Sequence, residues 1–203
     1  MKRVTRGFHR PRGAAPGRTL PPGQYDTGFL WPVLTAEPTP TIPADEWTFG
    51  IDGLVRRPTT WSWAEMHDLP QSSFHGDIHC VTAWSKFDMT FTGVALDVVL
   101  ELVGVRPEAT HALAFSHTGY TTNVSMADLT GGRAWIVWEA DGQLLTAEHG
   151  GPARLLVPHL YFWKSAKWIA GLQLLDHEEL GFWERNDYHA HGDPWLEERY
   201  EGD

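Results

Sequence analysis

The sequence predicts an α+β fold, a single domain built on mixed β-sheet. The chain has 203 residues, a usual size for one domain, and 42% of them are hydrophobic, enough for a sizeable core. Most patterned segments are short, alternate apolar with polar positions and end in turn residues, as strands do. Few segments carry helical spacing, so we expect helices to accompany the sheet.

The first elements follow from local patterns between residues 47 and 83. Trp47–Val55 alternates apolar with small or polar residues, which indicates a strand. Thr60 is a residue type that caps helices, so we expect a short helix over Trp61–His67. Phe74–Ala83 is then predicted as the next strand, before the chain turns toward a second helix.

The remaining elements are one longer helix and a series of strands. Ala95–Val103 has the spacing of an amphipathic helix, and Gly104 is expected to end it. Asp141 and Gly142 form a strong hairpin-turn signal, because such turns favour residues that tolerate positive φ. The strands predicted in this half are His111–Ser116, Tyr120–Ser125, Ala134–Glu139, Arg154–Val157 and Ile169–Leu175.

Residues 1–44 are rich in Pro, Gly and Arg and are predicted to form an extended arm, with the folded domain over 45–203. The apolar segment Trp31–Thr35 within this arm is expected to pack on the domain. The first 25 residues contain no acid but six basic residues, namely Lys2, Arg3, Arg6, Arg10, Arg12 and Arg18. Two interpretations stay open: a solvated arm, or a contact with an acidic partner or with the acidic C-terminal tail.

Charge and hydropathy exclude several classes of protein. A net charge of −10 disfavours nucleic-acid binding, which needs excess positive charge to displace phosphate counterions. No apolar run approaches the roughly 20 residues of a membrane-spanning helix, so no transmembrane segment is expected. No secretory signal pattern opens the chain, which favours a cytoplasmic location.

The only cysteine is Cys80, within the segment Asp77–Ser85. One cysteine forms no internal disulfide and cannot build a four-thiolate metal site. A thiolate near a strand end can bind a soft metal or act as a nucleophile. A buried, inert cysteine is the other interpretation, because free cysteines are commonly core residues.

Two later segments carry groups suited to anions. His149, Gly150 and Gly151 precede Arg154; glycines allow close backbone approach to a ligand, and arginine grips oxyanions. The run Phe162–Trp168 contains two lysines and Ser165, which suit a phosphate. An ordinary loop and solvated lysines explain the same residues without a ligand.

Together these segments resemble the molybdopterin-binding domain of the sulfite oxidase family, in particular its small bacterial branch with the protein-methionine-sulfoxide reductase catalytic subunit. The resemblance runs from about Trp31 to Trp195. Its most specific part is Arg154 followed eleven residues later by Ser165-Ala166-Lys167. The branch carries an asparagine where this chain has His149.

The resemblance implies a fold, a cofactor and roles for individual residues. The fold would be the mixed-sheet α+β domain of that family, and the cofactor molybdenum bound to molybdopterin. Cys80 would be the protein ligand of the metal, and Tyr120 a donor close to the reacting oxygen. The residues implied in binding the pterin and its phosphate are His117, His149, Arg154, Ser165, Ala166 and Lys167.

The function implied by the resemblance is two-electron oxo transfer to or from a small molecule such as sulfite or a sulfoxide. A separate electron-transfer protein carrying haem or flavin is expected, since the chain shows no motif for either group. Two other functions remain open. One is a metal-free cysteine–histidine hydrolase or transferase with Cys80 as nucleophile; the other is a non-catalytic binding domain with an aromatic cleft.

Overall fold

A computed structural model describes residues 17–203. Five of the six basic residues noted near the N-terminus lie outside the described residues. The helices are α1 (Trp63–His67), α2 (Leu96–Val103) and α3 (Met126–Leu129), with 3-10 turns at Ala147–His149, Phe162–Lys164 and Glu184–Asn186. The strands are β1 (Tyr25–Asp26), β2 (Thr48–Gly53), β3 (Thr59–Ser62), β4 (Gln71–His79), β5 (Trp84–Ala95), β6 (His111–Ser116), β7 (Thr121–Ser125), β8 (Trp135–Ala140), β9 (Gln143–Leu144), β10 (Arg154–Leu156) and β11 (Ile169–Leu175).

The strands form two sheets. One sheet has the order β1-β5-β8-β10, with β4 also paired to β5 and β9 to β8. The other has the order β3-β2-β11-β6-β7. Each sheet combines one parallel pair, β1 with β5 and β2 with β11, with antiparallel pairs. The predicted α+β mixed-sheet fold is therefore confirmed.

Helix α1 begins later than its sequence pattern indicated. The N-cap is Ser62, and it forms a capping box with Glu65. The Ser62 side chain accepts from the backbone N–H of Glu65, and the Glu65 side chain accepts from the backbone N–H of Ser62. Thr60, the expected cap, lies in β3 and pairs with Gly50 of β2. The cap prediction was wrong because cross-strand pairing extends β3 up to Ser62.

Helix α2 confirms its amphipathic pattern. Leu96, Val99, Leu100 and Val103 are buried, and Gly104 ends the helix with φ of +68°. A glycine tolerates this left-handed conformation without the steric cost that a Cβ brings.

Strand β5 was missed in the sequence, and it determines where Cys80 lies. Strand β4 ends at His79, and the chain then reverses through a tight turn into β5. In that turn the N–H of Cys80 donates to the carbonyl of Trp84 at 2.8 Å, and Ala83 adopts a φ of +77°. The predicted strand over Phe74–Ala83 therefore ends four residues early, and Cys80 opens the connection.

The arm packs on the domain along part of its length. Tyr25–Asp26 pairs in parallel with the beginning of β5. Trp31 makes an edge-to-face contact with Phe91, with ring centroids 5.8 Å apart. The expected packing of the Trp31–Thr35 segment is thus confirmed, whereas the expected domain boundary at residue 44 stays a prediction.

Two clusters of buried side chains form the core. The larger one lies around α1, α2 and the second sheet and includes Trp47, Phe49 and Leu172. The smaller one belongs to the first sheet and contains Cys80 and Trp84. Among residues 17–203, no helix is long and apolar enough to cross a membrane.

Candidate functional site

A cavity of about 260 Å³ opens among the arm, the β4–β5 turn and the loops around β10. Seven of the eight residues that the sequence singled out line it, namely Cys80, Tyr120, His149, Arg154, Ser165, Ala166 and Lys167. These residues come from distant parts of the chain, and packing of the two sheets brings them together.

The eighth residue, His117, lies apart from this cavity. Its ring is exposed, and Nε2 lies 3.0 Å from the carbonyl oxygen of Thr48 at the start of β2. The structure therefore does not bring His117 together with the other candidate residues.

The Cys80 thiol lies at the cavity wall and is 8% exposed. Its Sγ lies 3.2 Å from Oγ1 of Thr82, within the same turn. Burial raises the pKa of the Cys80 thiol, and hydrogen bonding from Thr82 and the positive charges of Arg199 and Lys167 oppose this only partly. The thiol is therefore mostly protonated at neutral pH unless a cationic ligand takes the place of its proton.

Arg154 is the first residue of β10, and its side chain is fully buried. Its Nη1 donates to the carbonyl of His149 at 2.9 Å, and its Nη2 to the carbonyl of Ser165 at 2.7 Å. The guanidinium also lies over the Phe162 ring, 4.0 Å from the centroid. Burial lowers the pKa of Arg154 to about 9, so the group is still largely charged at neutral pH.

Lys167 provides the second cation of the cavity. Its Nζ donates to the carbonyls of Leu34 at 2.8 Å and Glu148 at 2.6 Å. Burial and the nearby charge of Arg154 lower the pKa of Lys167 to about 8. Gly150, with φ of +100°, allows close packing here: a Cβ at this position would lie 3.0 Å from the Cα of Lys167.

These groups fit an anionic ligand with hydrogen-bond acceptors. Across residues 17–203, neither Arg154 nor Lys167 forms an ion pair with a carboxylate. A buried cation at Arg154 and a half-buried one at Lys167 are costly without a counter-charge, and a bound anion relieves that cost. The indole N–H of Trp84, also in the cavity wall, is buried and finds no hydrogen-bond partner within residues 17–203, so it adds an unused donor.

His149 is held against the arm. Its ring stacks on that of Trp31 with centroids 3.9 Å apart, and its Nε2 lies 3.2 Å from the Trp31 carbonyl oxygen. A carbonyl only accepts, so Nε2 carries the proton, and Nδ1 accepts from the Thr146 hydroxyl at 3.1 Å. Burial lowers the pKa of His149, which keeps the ring neutral at physiological pH.

Tyr120 and Ser165 are buried hydroxyl residues in the cavity wall. The Tyr120 hydroxyl donates to the carbonyl of Trp163 at 2.8 Å. Burial, together with the charge of Glu184, raises the pKa of Tyr120 well above its ordinary value, so the phenol stays protonated. The Ser165 Oγ accepts from the N–H of Val157 at 2.8 Å, which fixes its loop against β10.

The arm supplies further cavity residues, beyond the eight site residues predicted from the sequence. Trp31, Leu34 and Glu37 line the cavity, and the first two also hold His149 and Lys167 through their backbone carbonyls. The available signal was the apolar segment at Trp31–Thr35 in an otherwise polar arm. That segment indicated packing on the domain, but nothing local indicated on which surface.

Comparison with known proteins identifies relatives over most of the chain. The model of the oxidoreductase molybdopterin binding domain matches residues 36–183. An uncharacterised oxidoreductase of Bacillus subtilis, YuiH, is 37% identical over 197 residues, which cover 97% of this chain and 99% of that protein. The protein-methionine-sulfoxide reductase catalytic subunit MsrP of Gluconobacter oxydans is 27% identical over 157 residues, covering 68% of this chain.

A solved structure shows a similar fold. The sulfane dehydrogenase SoxCD from Paracoccus pantotrophus matches 73% of this chain with a TM-score of 0.65 and 21% identity. The match covers 42% of the SoxCD chain, and the MsrP match covers 50% of that relative. This chain therefore spans about half the length of these two larger proteins, while it matches YuiH nearly end to end.

Proposed function

Since this chain belongs to the oxidoreductase molybdopterin-binding domain family, we propose that it catalyses two-electron oxo transfer to or from a small substrate, with molybdenum bound through Cys80. The family establishes an oxidoreductase that uses the molybdenum–pterin cofactor. The observation that carries the finer proposal is the position of Cys80, the only cysteine of the chain, in a cavity with two cations that form no ion pair with any of the described residues.

The cofactor supplies a redox metal that changes by two electrons and exchanges an oxo group, a chemistry that protein side chains do not provide. Cys80 would contribute a soft thiolate ligand, which suits this metal. Burial raises the pKa of the free thiol, so proton loss would accompany metal binding. The tight turn at residues 80–84 would hold the sulfur in place.

The cations of the cavity would hold the anionic part of the cofactor. Arg154 and Lys167 supply the charge, and Ser165 fixes the loop between them. Ala166 is 1% exposed, and its small side chain leaves room at the wall. Both ring nitrogens of His149 are already hydrogen-bonded and one ring face stacks on Trp31, so His149 would offer the pterin a flat contact surface in the cavity wall.

Tyr120 would contribute a neutral polar group close to the reacting atoms. Its raised pKa makes it a poor general base, and its hydroxyl oxygen can still accept a hydrogen bond while its proton is held by Trp163. The role of Tyr120 would therefore be to position groups rather than to remove a proton.

Electrons would be exchanged with a separate protein that carries haem or flavin. The name of the Gluconobacter relative describes a catalytic subunit, which supports a division of labour of this kind. The expected cytoplasmic location stays a prediction.

The metal-free alternative has less support. A cysteine hydrolase needs a base within hydrogen-bond reach of the thiol and a lowered thiol pKa. In this chain the hydrogen-bonding neighbour of Cys80 Sγ is Thr82, while His117 and His149 bond to backbone carbonyls. The pKa of the thiol is shifted upward, opposite to what that mechanism requires.

Metal analysis tests the proposal. The chain is purified from a host that makes the pterin cofactor, and molybdenum is measured by mass spectrometry. We expect about one molybdenum per chain, and loss of both the metal and oxo transfer in Cys80→Ser. Ser73→Ala, an exposed change on β4, is the control and should keep its metal. Folded wild-type protein without molybdenum, or a fully active Cys80→Ser variant, contradicts the proposal.

A further inference from the structure

The turn that bears Cys80 is held by side chains from the arm and from the C-terminal segment. The Cys80 carbonyl accepts a hydrogen bond from Nε2 of Gln24 in the arm at 3.0 Å. The next carbonyl, that of Val81, accepts from Nη1 of Arg199 near the end of the chain. Both contacts join segments that are far apart in the sequence, so the position of the turn depends on the tertiary structure.

Arg199 links this turn to the arm. Its Nη2 donates to the carbonyl of Pro22 at 3.2 Å, while its Nη1 donates to the carbonyl of Val81. The guanidinium also lies over the ring of Tyr161, 5.0 Å from the centroid. A planar guanidinium holds two carbonyls of different segments in one fixed geometry, whereas the ammonium of a lysine is a single point charge on a flexible stem. Arg199 therefore bridges the C-terminal segment, the turn and the arm.

An ion pair does not account for the burial of Arg199. The Arg199 side chain is 14% exposed, whereas that of its ionic partner Glu197 is 50% exposed, and the Glu197 Oε1 lies 3.7 Å from Nε. A pair with a half-exposed carboxylate at this distance contributes little stability. The carbonyls of Val81 and Pro22 therefore do most to offset the desolvation of the guanidinium.

The backbone that presents Arg199 is fixed beside the cavity. Tyr188 and Tyr200 form an antiparallel bridge, and the N–H of His189 donates to the Arg199 carbonyl at 3.2 Å. Tyr188 lines the same cavity as Cys80. The C-terminal segment is thus a fixed support from which the Arg199 side chain reaches the Cys80 turn.

We propose that Arg199 is a positioning residue for the Cys80 ligand: it ties the turn at Val81 to the arm and so fixes the direction of the sulfur in the cavity. This inference rests on the proposed function, in which Cys80 binds molybdenum. Arg199 is not among the described residues that line the cavity, so it acts through the turn. Removing a group that holds a metal ligand in place, without touching the metal, commonly lowers metal affinity about 10- to 100-fold.

The first test uses the metal-free chain and follows the thiol itself. Alkylation of Cys80 by iodoacetamide at pH 7, without denaturant, is measured by mass spectrometry. We expect Arg199→Ala to react about tenfold faster than wild type, because two hydrogen bonds no longer hold the turn against the arm. Loss of a nearby positive charge alone would slow the reaction by disfavouring the thiolate, so an acceleration reports release of the sulfur.

The second test uses Arg199→Lys, which keeps the charge but loses the planar fork, and which tests the inference even if Arg199→Ala does not fold. Its alkylation rate should lie between those of wild type and Arg199→Ala. In the loaded protein we measure molybdenum per chain and the electron paramagnetic resonance spectrum of molybdenum(V) after partial reduction. We expect less metal and shifted g-values, because the spectrum depends on the direction of the sulfur ligand. A residue that only stabilises the fold would leave the spectrum of the loaded fraction unchanged.

Arg57→Ala is the matched control. Nη2 of Arg57 donates to the carbonyl of Leu102 at 2.7 Å at an exposed position, and Arg57 is not among the described residues that line the cavity. The change therefore removes an arginine and its bond to a backbone carbonyl away from Cys80. This variant should keep the wild-type alkylation rate, metal content and spectrum.

The outcomes separate this inference from the proposed function. If the Arg199 variants keep the wild-type alkylation rate, or if Arg199→Lys keeps the wild-type spectrum, the role of Arg199 is overturned while the oxidoreductase proposal stands. If Arg57→Ala acts like the Arg199 variants, the effect belongs to the loss of any arginine and the inference is also overturned. Absence of molybdenum from folded wild-type protein overturns the proposed function and this inference together.

Discussion

The guanidinium of Arg154 donates a 2.7 Å hydrogen bond to the carbonyl of Ser165, eleven residues farther along the chain. A second bond from Arg154 reaches the carbonyl of His149, and the Ser165 hydroxyl accepts from Val157. One side chain therefore joins the two loops that carry His149 and Lys167. This arrangement explains the spacing between Arg154 and Ser165-Ala166-Lys167. Arg154 holds the two loops of the cavity wall together and also gives the cavity a positive charge.

Arg154→Ala is expected to lower both stability and cofactor content. The change leaves two backbone carbonyls without their donor in a buried region, at a cost of about 2 kcal/mol in the free energy of unfolding. Loss of the loop geometry and of one cation should reduce molybdenum per chain. Denaturant unfolding and metal analysis measure the two effects.

Arg154→Lys separates charge from geometry in the same experiments. Lysine keeps a cation but lacks the planar fork that reaches both carbonyls. We expect an intermediate stability and a metal content below wild type. Full metal content in Arg154→Ala would show that the guanidinium does not serve cofactor binding.

The Cys80 thiol of the metal-free chain should react slowly with iodoacetamide at pH 7. The thiol is 8% exposed and burial raises its pKa, so both access and thiolate content are low. Alkylation followed by mass spectrometry, with glutathione as the reference thiol, measures this rate. A reaction faster than that of glutathione would favour the cysteine-nucleophile alternative.

Lys164→Met should strongly destabilise the chain without changing any cavity cation. Nζ of Lys164 lies 2.7 Å from Oε1 of Glu184 and also donates to both the carbonyl and the side-chain oxygen of Asn123. Removing one partner of a buried ion pair costs about 3–5 kcal/mol, because the other charge stays buried. Chemical denaturation measures the loss.

The double variant Lys164→Met with Glu184→Gln is the control for this pair. It removes both charges, so we expect it to recover part of the stability lost in the single variant. A double variant that is less stable than the single one would show that Glu184 stabilises the fold through Thr122 and Trp163 instead of through Lys164.

His191 should make stability depend on pH. Its ring lies 2.7 Å from Glu198 and 3.4 Å from Asp128, and the hydrogen bond to Asp128 is the main reason that its pKa rises to about 9. A raised pKa means that the stabilisation is complete below the ordinary value near 6.5 and is lost as the pH rises through about 9. The side chain is 43% exposed, so solvent screening limits the effect to about 1 kcal/mol.

Thermal or denaturant unfolding of His191→Gln between pH 6 and 10 tests this expectation. The variant should be less stable than wild type at pH 6, and the two should converge above about pH 9.5. His177→Gln is the control for loss of a histidine–aspartate contact at the surface: both side chains are more than half exposed, so solvent screens the pair and the change in stability should be no more than about 0.5 kcal/mol. A constant gap between His191→Gln and wild type at all pH values would contradict the electrostatic origin.

Local patterns in the sequence were sufficient for much of the fold. The periodicity of Ala95–Val103 predicted a helix whose apolar face is buried in the structure, and His111–Ser116 was predicted as the strand that the structure contains. The chemistry of Cys80 and of the Arg154 to Lys167 segment indicated the family, which the comparison confirmed. These signals are local because helix and strand periodicity and motif spacing are properties of contiguous residues.

Long-range packing decided the features that local patterns did not predict, namely strand β5 and the position of the His117 side chain. Strand β5 went unrecognised because several of its residues, among them Lys86 and Asp88, are polar, and pairing with β4 and β8 supplies the hydrogen bonds that make it a strand. His117 lies near Tyr120 in sequence, yet its side chain lies outside the cavity.

The sequence by itself determined the residue types that this protein brings to its chemistry: one thiol, two cations in a spaced motif, and aromatic side chains. Only the tertiary structure decided that Trp31 and Glu37 of the arm join them. No local pattern specifies against which surface an arm packs, since that depends on the free energy of contacts between distant segments. The charge of the cavity is therefore a property of the fold, because it includes a carboxylate from a segment remote from both cations.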